Sequence, residues 1–408
     1  METLRVKQPM TLPNGRVIKN RFFKSAMSEA MADKNNSPTK AHLNLYSKWA
    51  EGGAGIVVSG NVMVDRAALG EPGNVVVEDE RDLPKLKEWA QTATVEQTEL
   101  WMQINHPGRQ SPKSMSSQPV APSAVPLRKP YALFFASPKA LTLSDIDILV
   151  NKFVSTALVA KKAGFTGVQI HAAHGYLVSQ FLSPLTNQRQ DQYGGSLNNR
   201  LRFLIDIYYG MRQTLGKDFS ISVKLNSSDF SPGGFTGKEA TEAIKILATA
   251  GIDLVEISGG SYENPHMFQS VERETIFFLD YAEQLMETVD IPLVVTGGFR
   301  TLERMEQALE QKSTSMIGLA RPLALYPDLP RKLMNGEMTG ADLPRLTTGI
   351  KHLDKKIGGL MAISYYEQQM KNIASGRAVD LSRNGWKPLI TSLKGHGLTG
   401  LYSARKSE

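Results

Sequence analysis

Apolar segments of strand length alternate with helical patterns about eight times along this chain. Such alternation is typical of a parallel sheet covered by helices, and eight repeats predict a single (β/α)8 TIM barrel of the α/β class. The expected strands lie at residues 22–27, 55–60, 100–105, 167–173, 220–226, 253–259, 292–298 and 315–320. The expected helices lie at residues 39–51, 83–94, 144–163, 198–215, 237–250, 277–288, 302–311 and 328–334.

Composition limits the class of protein more than it identifies a function. A chain of 408 residues that is 41% hydrophobic can bury a large core. The absence of cysteine excludes disulfides, thiolate metal sites and iron–sulfur ligation within this chain, and it fits a reducing compartment. The first residues are polar, and no apolar run approaches the ~20 residues that span a bilayer. We therefore expect a cytoplasmic protein that does not bind membranes.

The charge distribution favours a small anionic ligand over a nucleic acid. The formal net charge is +7, which attracts anions in general. The lysines and arginines are scattered, however, and no run of five or more basic residues occurs. A solvated basic surface explains most of this charge, and no nucleic-acid partner is expected.

Several predicted strands carry polar residues on one face. In strand 220–226, Ser222, Lys224 and Asn226 alternate with apolar residues, and Gln103 and Glu256 occupy similar positions in their strands. The interior of a barrel is ordinarily apolar, and active sites lie at the C-terminal ends of the strands. The pattern predicts a polar site at that end of the barrel.

The stretch after the fourth strand brings two imidazoles and a phenol together. His171 shares a strand face with Gln169, and Gly175 lets the chain turn so that His174 and Tyr176 reach the same ligand. Two imidazole N–H groups suit an oxygen that gains negative charge, and a phenol supplies a proton. A satisfied core histidine and a metal pair at this spacing are the alternatives, but no acidic residue or cysteine follows nearby, and no metal is expected.

This stretch also resembles a known family. The segments HAAHGYL at 171–177, QFLSPLTN at 180–187 and YGGSL at 193–197, with Arg189, Asn199 and Arg200, are similar to the signature of the Old Yellow Enzyme family. The similarity runs from about residue 12 to about residue 333. It implies an oxidoreductase that contains FMN and takes its electrons from NADH or NADPH.

The resemblance assigns flavin contacts to the ends of the first, second, third and fifth strands. Ser25, Met27 and Ser28 would contact the flavin, with Ser28 in place of the more common threonine or cysteine. The N–H of Gly60 and the carboxamide of Gln103 would meet the flavin rings. Lys224 stands where most relatives have arginine, and its burial implies an anionic partner, which the resemblance identifies as the flavin.

A phosphate site is expected where the last two strands end. Glycines beside neighbouring strand ends in barrels often form a cup of backbone N–H groups, to which arginines add positive charge. Arg300 is a weaker candidate for the same role. The residues that we assign to this cup are Gly297, Gly298, Gly318, Ala320 and Arg321.

Two loops and an extension complete the expected architecture. The proline-rich loop 107–143, with Tyr131, Phe134 and Phe135 near its end, is expected to cover the barrel mouth. Loop 259–274, with Tyr262, His266 and Phe268, would form the opposite wall. We expect the FMN-binding barrel to occupy residues 1–338. Residues 339–408 would form an extension that packs on the barrel or joins a homo-oligomer.

The resemblance implies reduction of an electron-poor C=C bond in an α,β-unsaturated carbonyl or nitro compound. His171 and His174 would bind the substrate oxygen, flavin N5 would deliver hydride, and Tyr176 would protonate the other carbon. Reduction of another substrate, such as uridine in transfer RNA, and flavin binding without turnover are the alternatives. The sequence does not distinguish NADH from NADPH.

Overall fold

Eight parallel strands close into a barrel in their order along the chain, with the last strand paired to the first. The computed structural model describes residues 4–129, 131–264 and 276–396. The predicted (β/α)8 barrel is confirmed. The barrel strands are β1 Phe22–Lys24, β2 Ile56–Met63, β3 Glu99–Asn105, β4 Gly167–Ala172, β5 Ser220–Asn226, β6 Leu254–Ser258, β7 Leu293–Thr296 and β8 Met316–Leu319.

Helices cover the outside of the barrel, and polar caps set several of their boundaries. In α3, the Thr142 side chain accepts from the Asp145 N–H while Asp145 reaches back to Thr142, and Gly164 ends the helix with a φ of 95°. The helices are α1 Lys40–Glu51, α2 Leu83–Ala93, α3 Leu143–Ala163, α4 Leu177–Leu182, α5 Leu197–Leu215, α6 Gly237–Ala250, α7 Leu279–Met286, α8 Leu302–Glu310, α9 Leu329–Asn335, α10 Lys351–Ala374 and α11 Trp386–His396.

Three predicted strand boundaries were wrong, each for a local reason. Strand β1 ends at Lys24, and its pairing with β8 closes with the Ser25 N–H, which donates to the Leu319 carbonyl at 2.9 Å. Strand β2 instead continues to Met63, because an irregularity between Val58 and Asn61 shifts the pairing with β3 without ending it. Strand β7 ends at Thr296, since the two glycines after it have φ values of 102° and 89°, outside the extended region.

An apolar plug fills the N-terminal half of the barrel interior. Phe23, Trp101 and Leu254 belong to a buried cluster to which most of the strands contribute, and the Phe23 and Trp101 rings meet edge to face at 6.2 Å. The indole also explains Gly167 on β4, since a Cβ there would lie 2.6 Å from the Trp101 ring. The polar side chains of Gln103, Gln169, Lys224 and Glu256 lie beyond the plug towards the C-terminal ends of the strands.

Two further segments pack on the barrel. Within the segment between β3 and α3, Val120–Ala121 pairs with Lys139–Ala140. Helix α10 packs against α1, where Asn44 Nδ2 donates to the Ala374 carbonyl at 2.8 Å. None of the helices in the described ranges combines the length and apolar character that crossing a bilayer requires.

The stability of the barrel is expected to fall in mild acid. His42, His106 and His171 are all buried, and burial lowers the pKa of each below its ordinary value, to about 4 for His106. The unfolded chain therefore binds protons before the folded one does. The free energy of unfolding should fall as the pH drops below about 6.5, with His106 contributing about 3 kcal/mol by pH 4.

Urea unfolding between pH 7 and pH 4 measures this effect. The Nδ1 atom of His106 accepts the Gly108 N–H at 3.0 Å, a role that an asparagine oxygen can take. The variant His106→Asn should therefore show a flatter pH dependence than the parent. The same substitution at the exposed His352 serves as a control and should leave the slope unchanged. Equal slopes for all three proteins would contradict the assignment to His106.

Candidate active site

The turn after β4 brings the two histidines and the tyrosine together, as predicted. His171 lies on β4, and a left-handed turn at His174 and Gly175, with φ values of 63° and 75°, reverses the chain before Tyr176. The His171 ring is 5.0 Å from the His174 ring and 4.8 Å from the Tyr176 ring, measured between centroids. Three groups able to form hydrogen bonds therefore occupy one corner of the barrel mouth.

His171 is a neutral donor. Burial, and then the nearby Lys224 charge, lower the pKa of His171 well below its ordinary value. Its Nδ1 atom faces the backbone N–H of Ala173 at 3.3 Å and accepts from it. The ring hydrogen is therefore on Nε2, the tautomer that donates towards a ligand.

His174 is held by the ends of β5 and β6. Its backbone N–H donates to Asn226 Oδ1 at 3.1 Å, and its Nε2 lies 2.6 Å from Ser258 Oγ. Gln110, from the segment after β3, donates to its carbonyl at 3.0 Å. Asn226 was recognised from the sequence as an inward-facing polar residue, but its role in positioning a catalytic candidate was not predicted.

A polar layer lies above the apolar plug, and Glu256 is at its centre. Its carboxylate is fully buried and accepts from Gln169 Nε2 at 3.0 Å and from Thr296 Oγ1 at 2.8 Å. The Lys224 ammonium lies 3.0 Å from the same carboxylate. The anionic partner that the burial of Lys224 implies is thus present within the protein, as Glu256. The flavin contact that the resemblance assigns to Lys224 stays a prediction.

The layer continues from Glu256 to two predicted flavin contacts. Gln103 Nε2 donates to Gln169 Oε1 at 2.8 Å. Ser25 Oγ lies 2.7 Å from Thr296 Oγ1, and because the hydroxyl hydrogen of Thr296 points to Glu256, Ser25 is the donor. Gln103 and Ser25 therefore lie on the interior of the barrel in fixed orientations.

Glu29 was missed as a site residue. It is buried, and its Oε1 atom accepts the Gly60 N–H at 2.8 Å and the Tyr46 hydroxyl. A Cβ at Gly60 would collide with this carboxylate. The Gly60 N–H, predicted to meet a flavin, is thus engaged by protein, since it also lies 2.9 Å from the Tyr46 hydroxyl oxygen. Its flavin contact stays a prediction.

The other predicted contacts in the segment after β1 also have protein surroundings. The Ser28 hydroxyl donates to Glu71, and Met27 is half-buried against the main core. The sequence offered no signal for the Glu71 contact, because the two residues belong to different loops.

The ends of β7 and β8 are adjacent in the barrel, as the predicted cup requires. Gly297 and Gly298 adopt left-handed backbone angles, and Gly318 leaves no room for a Cβ beside Thr296. Burial, and then the charge of Arg321, lower the pKa of Arg300 to about 10. Arg321 begins a short helical turn, Arg321–Ala324, directly after Ala320 at the end of β8. This donor set suits a doubly charged anion such as a phosphate ester.

The predicted lid is attached to the opposite loop. Arg109 is buried and donates to Glu263 at 2.5 Å, and Phe135 packs on Tyr262 with ring centroids 6.2 Å apart. Tyr131 and Phe134 belong to the same apolar cluster. The other predicted wall residues, His266 and Phe268, lie outside the described residues. Within the described part of the chain, no group of three or more side chains is arranged to hold a metal ion.

Comparison with known proteins identifies the family. The model of the NADH:flavin oxidoreductase / NADH oxidase family matches residues 6–339. The chain belongs to this family. It is 35% identical over 370 residues to an NADH-dependent flavin oxidoreductase, iliE, of Hypocrea jecorina, a match that covers 84% of this chain and 92% of that protein.

Solved structures agree. An Old Yellow Enzyme homologue from Zymomonas mobilis superposes with a TM-score of 0.71 and 26% identity, covering 83% of this chain and 94% of that one. A 2-naphthoyl-CoA reductase superposes with a TM-score of 0.76 and 28% identity over 81% of this chain, which spans 52% of the reductase. The chain is therefore an Old Yellow Enzyme-type oxidoreductase, which uses FMN and a nicotinamide reductant.

The residues present fit FMN. The cup after β7 and β8 offers backbone N–H groups and two arginines for a phosphate. Gln103 and Lys224 supply amide and ammonium groups on the adjoining inner surface, where the polar edge of a flavin requires donors and acceptors. The predicted individual contacts remain proposals.

The Lys224–Glu256 pair is expected to behave as one energetic unit. Removing either partner leaves a buried charge without compensation, so Glu256→Gln and Lys224→Met should each lower the free energy of unfolding by about 3–5 kcal/mol. The double variant should lose much less than the sum. Urea unfolding of the FMN-free proteins completes this double-mutant cycle, and strictly additive losses would contradict the pairing.

The cup is expected to recognise the phosphate and not the flavin ring. Arg321→Gln should raise the Kd for FMN about 10-fold to 100-fold, because a charge-assisted hydrogen bond is lost, and should leave the Kd for riboflavin unchanged. Fluorescence titration measures both values. Arg304→Gln, at an exposed position on α8, is the matched control. Equal weakening for both ligands would place Arg321 outside the phosphate site.

Proposed function

We propose that this oxidoreductase reduces electron-poor C=C bonds in α,β-unsaturated carbonyl or nitro compounds. The observation that carries the proposal is the convergence of His171, His174 and Tyr176 at the barrel mouth. A neutral donor and a phenol side by side suit a substrate that gains negative charge on an oxygen and a proton on carbon.

His171 binds the substrate oxygen. Its Nε2–H group donates without a net charge, so it stabilises negative charge that develops on the oxygen and does not depend on protonation near neutral pH. His174 acts beside it and orients the same oxygen, supported by Asn226 and Ser258. This pairing draws electron density away from the C=C bond and makes its far carbon electrophilic.

Tyr176 donates the proton. The phenol lies against the His171 ring and is half-buried, so it reaches a substrate held by the imidazoles and keeps a route to solvent. Bound FMN supplies the hydride, which it has received from the nicotinamide reductant. The protein contributes orientation, an environment for the developing charge, and the proton.

The substrate is expected to be a small molecule. The apolar plug confines the available space to the C-terminal half of the barrel, and the lid cluster around Phe135 limits the opening. The names of the relatives differ: one is a 2-naphthoyl-CoA reductase and another is an NADH-dependent flavin oxidoreductase. We propose that the substrate is a conjugated carbonyl compound and that His171 and His174 recognise its carbonyl group.

Substitution of Tyr176 separates the two halves of the reaction. In anaerobic stopped-flow experiments, Tyr176→Phe should slow reoxidation by an activated alkene about 100-fold or more, since a general acid is lost. Reduction of the enzyme by NADH or NADPH requires no proton from Tyr176 and should change little. Equal losses in both half-reactions would remove Tyr176 as the donor. Failure of the parent protein to reduce any activated alkene would reject the proposed function.

A further inference from the structure

A second tyrosine contacts the proposed proton donor. The hydroxyl oxygens of Tyr176 and Tyr262 are 3.0 Å apart, and their rings meet at 5.9 Å and an interplanar angle of 71°. The two residues are 86 positions apart in the chain. They meet because the loop after β6 pairs with the turn after β4 through a bridge between His174 and Ser261.

The loop that carries Tyr262 is held from three sides. Ser261 and Asn264 exchange backbone hydrogen bonds of 2.8 and 3.2 Å, which closes a tight turn around Tyr262. Glu263 accepts from buried Arg109 at 2.5 Å and from the backbone N–H of Arg128 at 2.7 Å. These contacts fix the backbone on both sides of the phenol.

The ring of Tyr262 is also packed. It lies against the cluster that Leu127, Tyr131 and Phe135 form in the lid, while the residue as a whole is half-buried. The phenol therefore extends from the apolar lid to the Tyr176 hydroxyl in a defined direction. Packing alone would have been satisfied by phenylalanine, so the hydroxyl is the feature that requires an explanation.

We propose that Tyr262 is a positioning and proton-relay residue for Tyr176, an inference that rests on the proposed alkene reduction. When Tyr176 transfers its hydroxyl proton to the substrate carbon, a phenolate oxygen is left 3.0 Å from Tyr262. The Tyr262 O–H donates to that oxygen, and the proton passes to it. Tyr262 then takes a proton from solvent, which restores both phenols without any change in oxidation state.

The arrangement has a consequence for pH dependence. A donor beside the Tyr176 oxygen stabilises the phenolate form, which makes Tyr176 a stronger acid. Removal of that donor makes proton transfer to substrate less favourable and keeps Tyr176 protonated to higher pH. Reoxidation of the enzyme by the alkene should then become slower. The fall of its rate at alkaline pH should begin at a higher pH, which is a shift of the alkaline limb of the pH–rate profile.

The test uses anaerobic stopped-flow kinetics on the holoenzyme with 2-cyclohexenone as the probe. In Tyr262→Phe, reoxidation by the enone should slow about 10-fold to 100-fold, as expected for the loss of a hydrogen bond to a charged group. Its alkaline limb should shift to higher pH, and reduction by NADH should be unchanged. Tyr262→His, which retains an N–H donor, should recover part of the rate.

Tyr281→Phe is the matched control. The Tyr281 hydroxyl also lies next to another hydroxyl, that of Thr241, at 3.3 Å. Tyr281, however, belongs to α7 on the outside of the barrel. The Tyr281→Phe variant should be reoxidised by the enone at the rate of the parent enzyme, with an unshifted alkaline limb in its pH–rate profile. Unchanged enone kinetics in Tyr262→Phe would overturn the relay while leaving alkene reduction intact. A slower rate with an unshifted limb and no recovery in Tyr262→His would also overturn it, since that result indicates packing alone.

Discussion

The buried carboxylate of Glu256 is the interaction on which the interior of the barrel depends. An ionised group without water is stable only when charge and hydrogen bonds replace its hydration. Glu256 obtains both, because Lys224 neutralises it and Gln169 and Thr296 donate to its two oxygens. Strands β4, β5, β6 and β7 are thereby held in one register at the depth where the polar layer begins.

The orientation of the neighbouring side chains follows from that carboxylate. Glu256 accepts only, so Gln169 must present its amide nitrogen, and its oxygen must in turn accept from Gln103. The same reasoning makes Thr296 a donor and Ser25 the donor to Thr296. A single charge thus determines the direction of hydrogen bonds across most of the barrel, including two residues proposed to contact FMN.

Local sequence patterns predicted the barrel and much of the site because both depend on short-range periodicity. Alternation along β5 correctly predicted that Lys224 points inward. The spacing from His171 to Tyr176, with a glycine between, correctly predicted that three rings meet. The predicted strand boundaries were wrong where the backbone departs from regular alternation. In β2, the strand continues past a shift in its pairing with β3 between Val58 and Asn61.

The contacts that were missed join segments far apart in the chain. The hydrophobic pattern of one segment does not predict its partner in another. The missed contacts are those of Gly60 with Glu29, of Lys224 with Glu256 and of Tyr176 with Tyr262. Each becomes visible only when the barrel brings the strand ends together. Burial of Lys224 could be deduced from the sequence, but the choice between a protein partner and a ligand could not.

The plug around Phe23, Trp101 and Leu254 has a kinetic consequence. Because it fills the N-terminal half of the interior, molecules reach the polar layer from one end only. Two reactants that need the same inner surface cannot enter from opposite sides, so the first product must depart before the second reactant arrives. In the proposed function, where the reductant and the alkene use that surface in turn, an excess of either reactant would therefore compete with the other for the empty site.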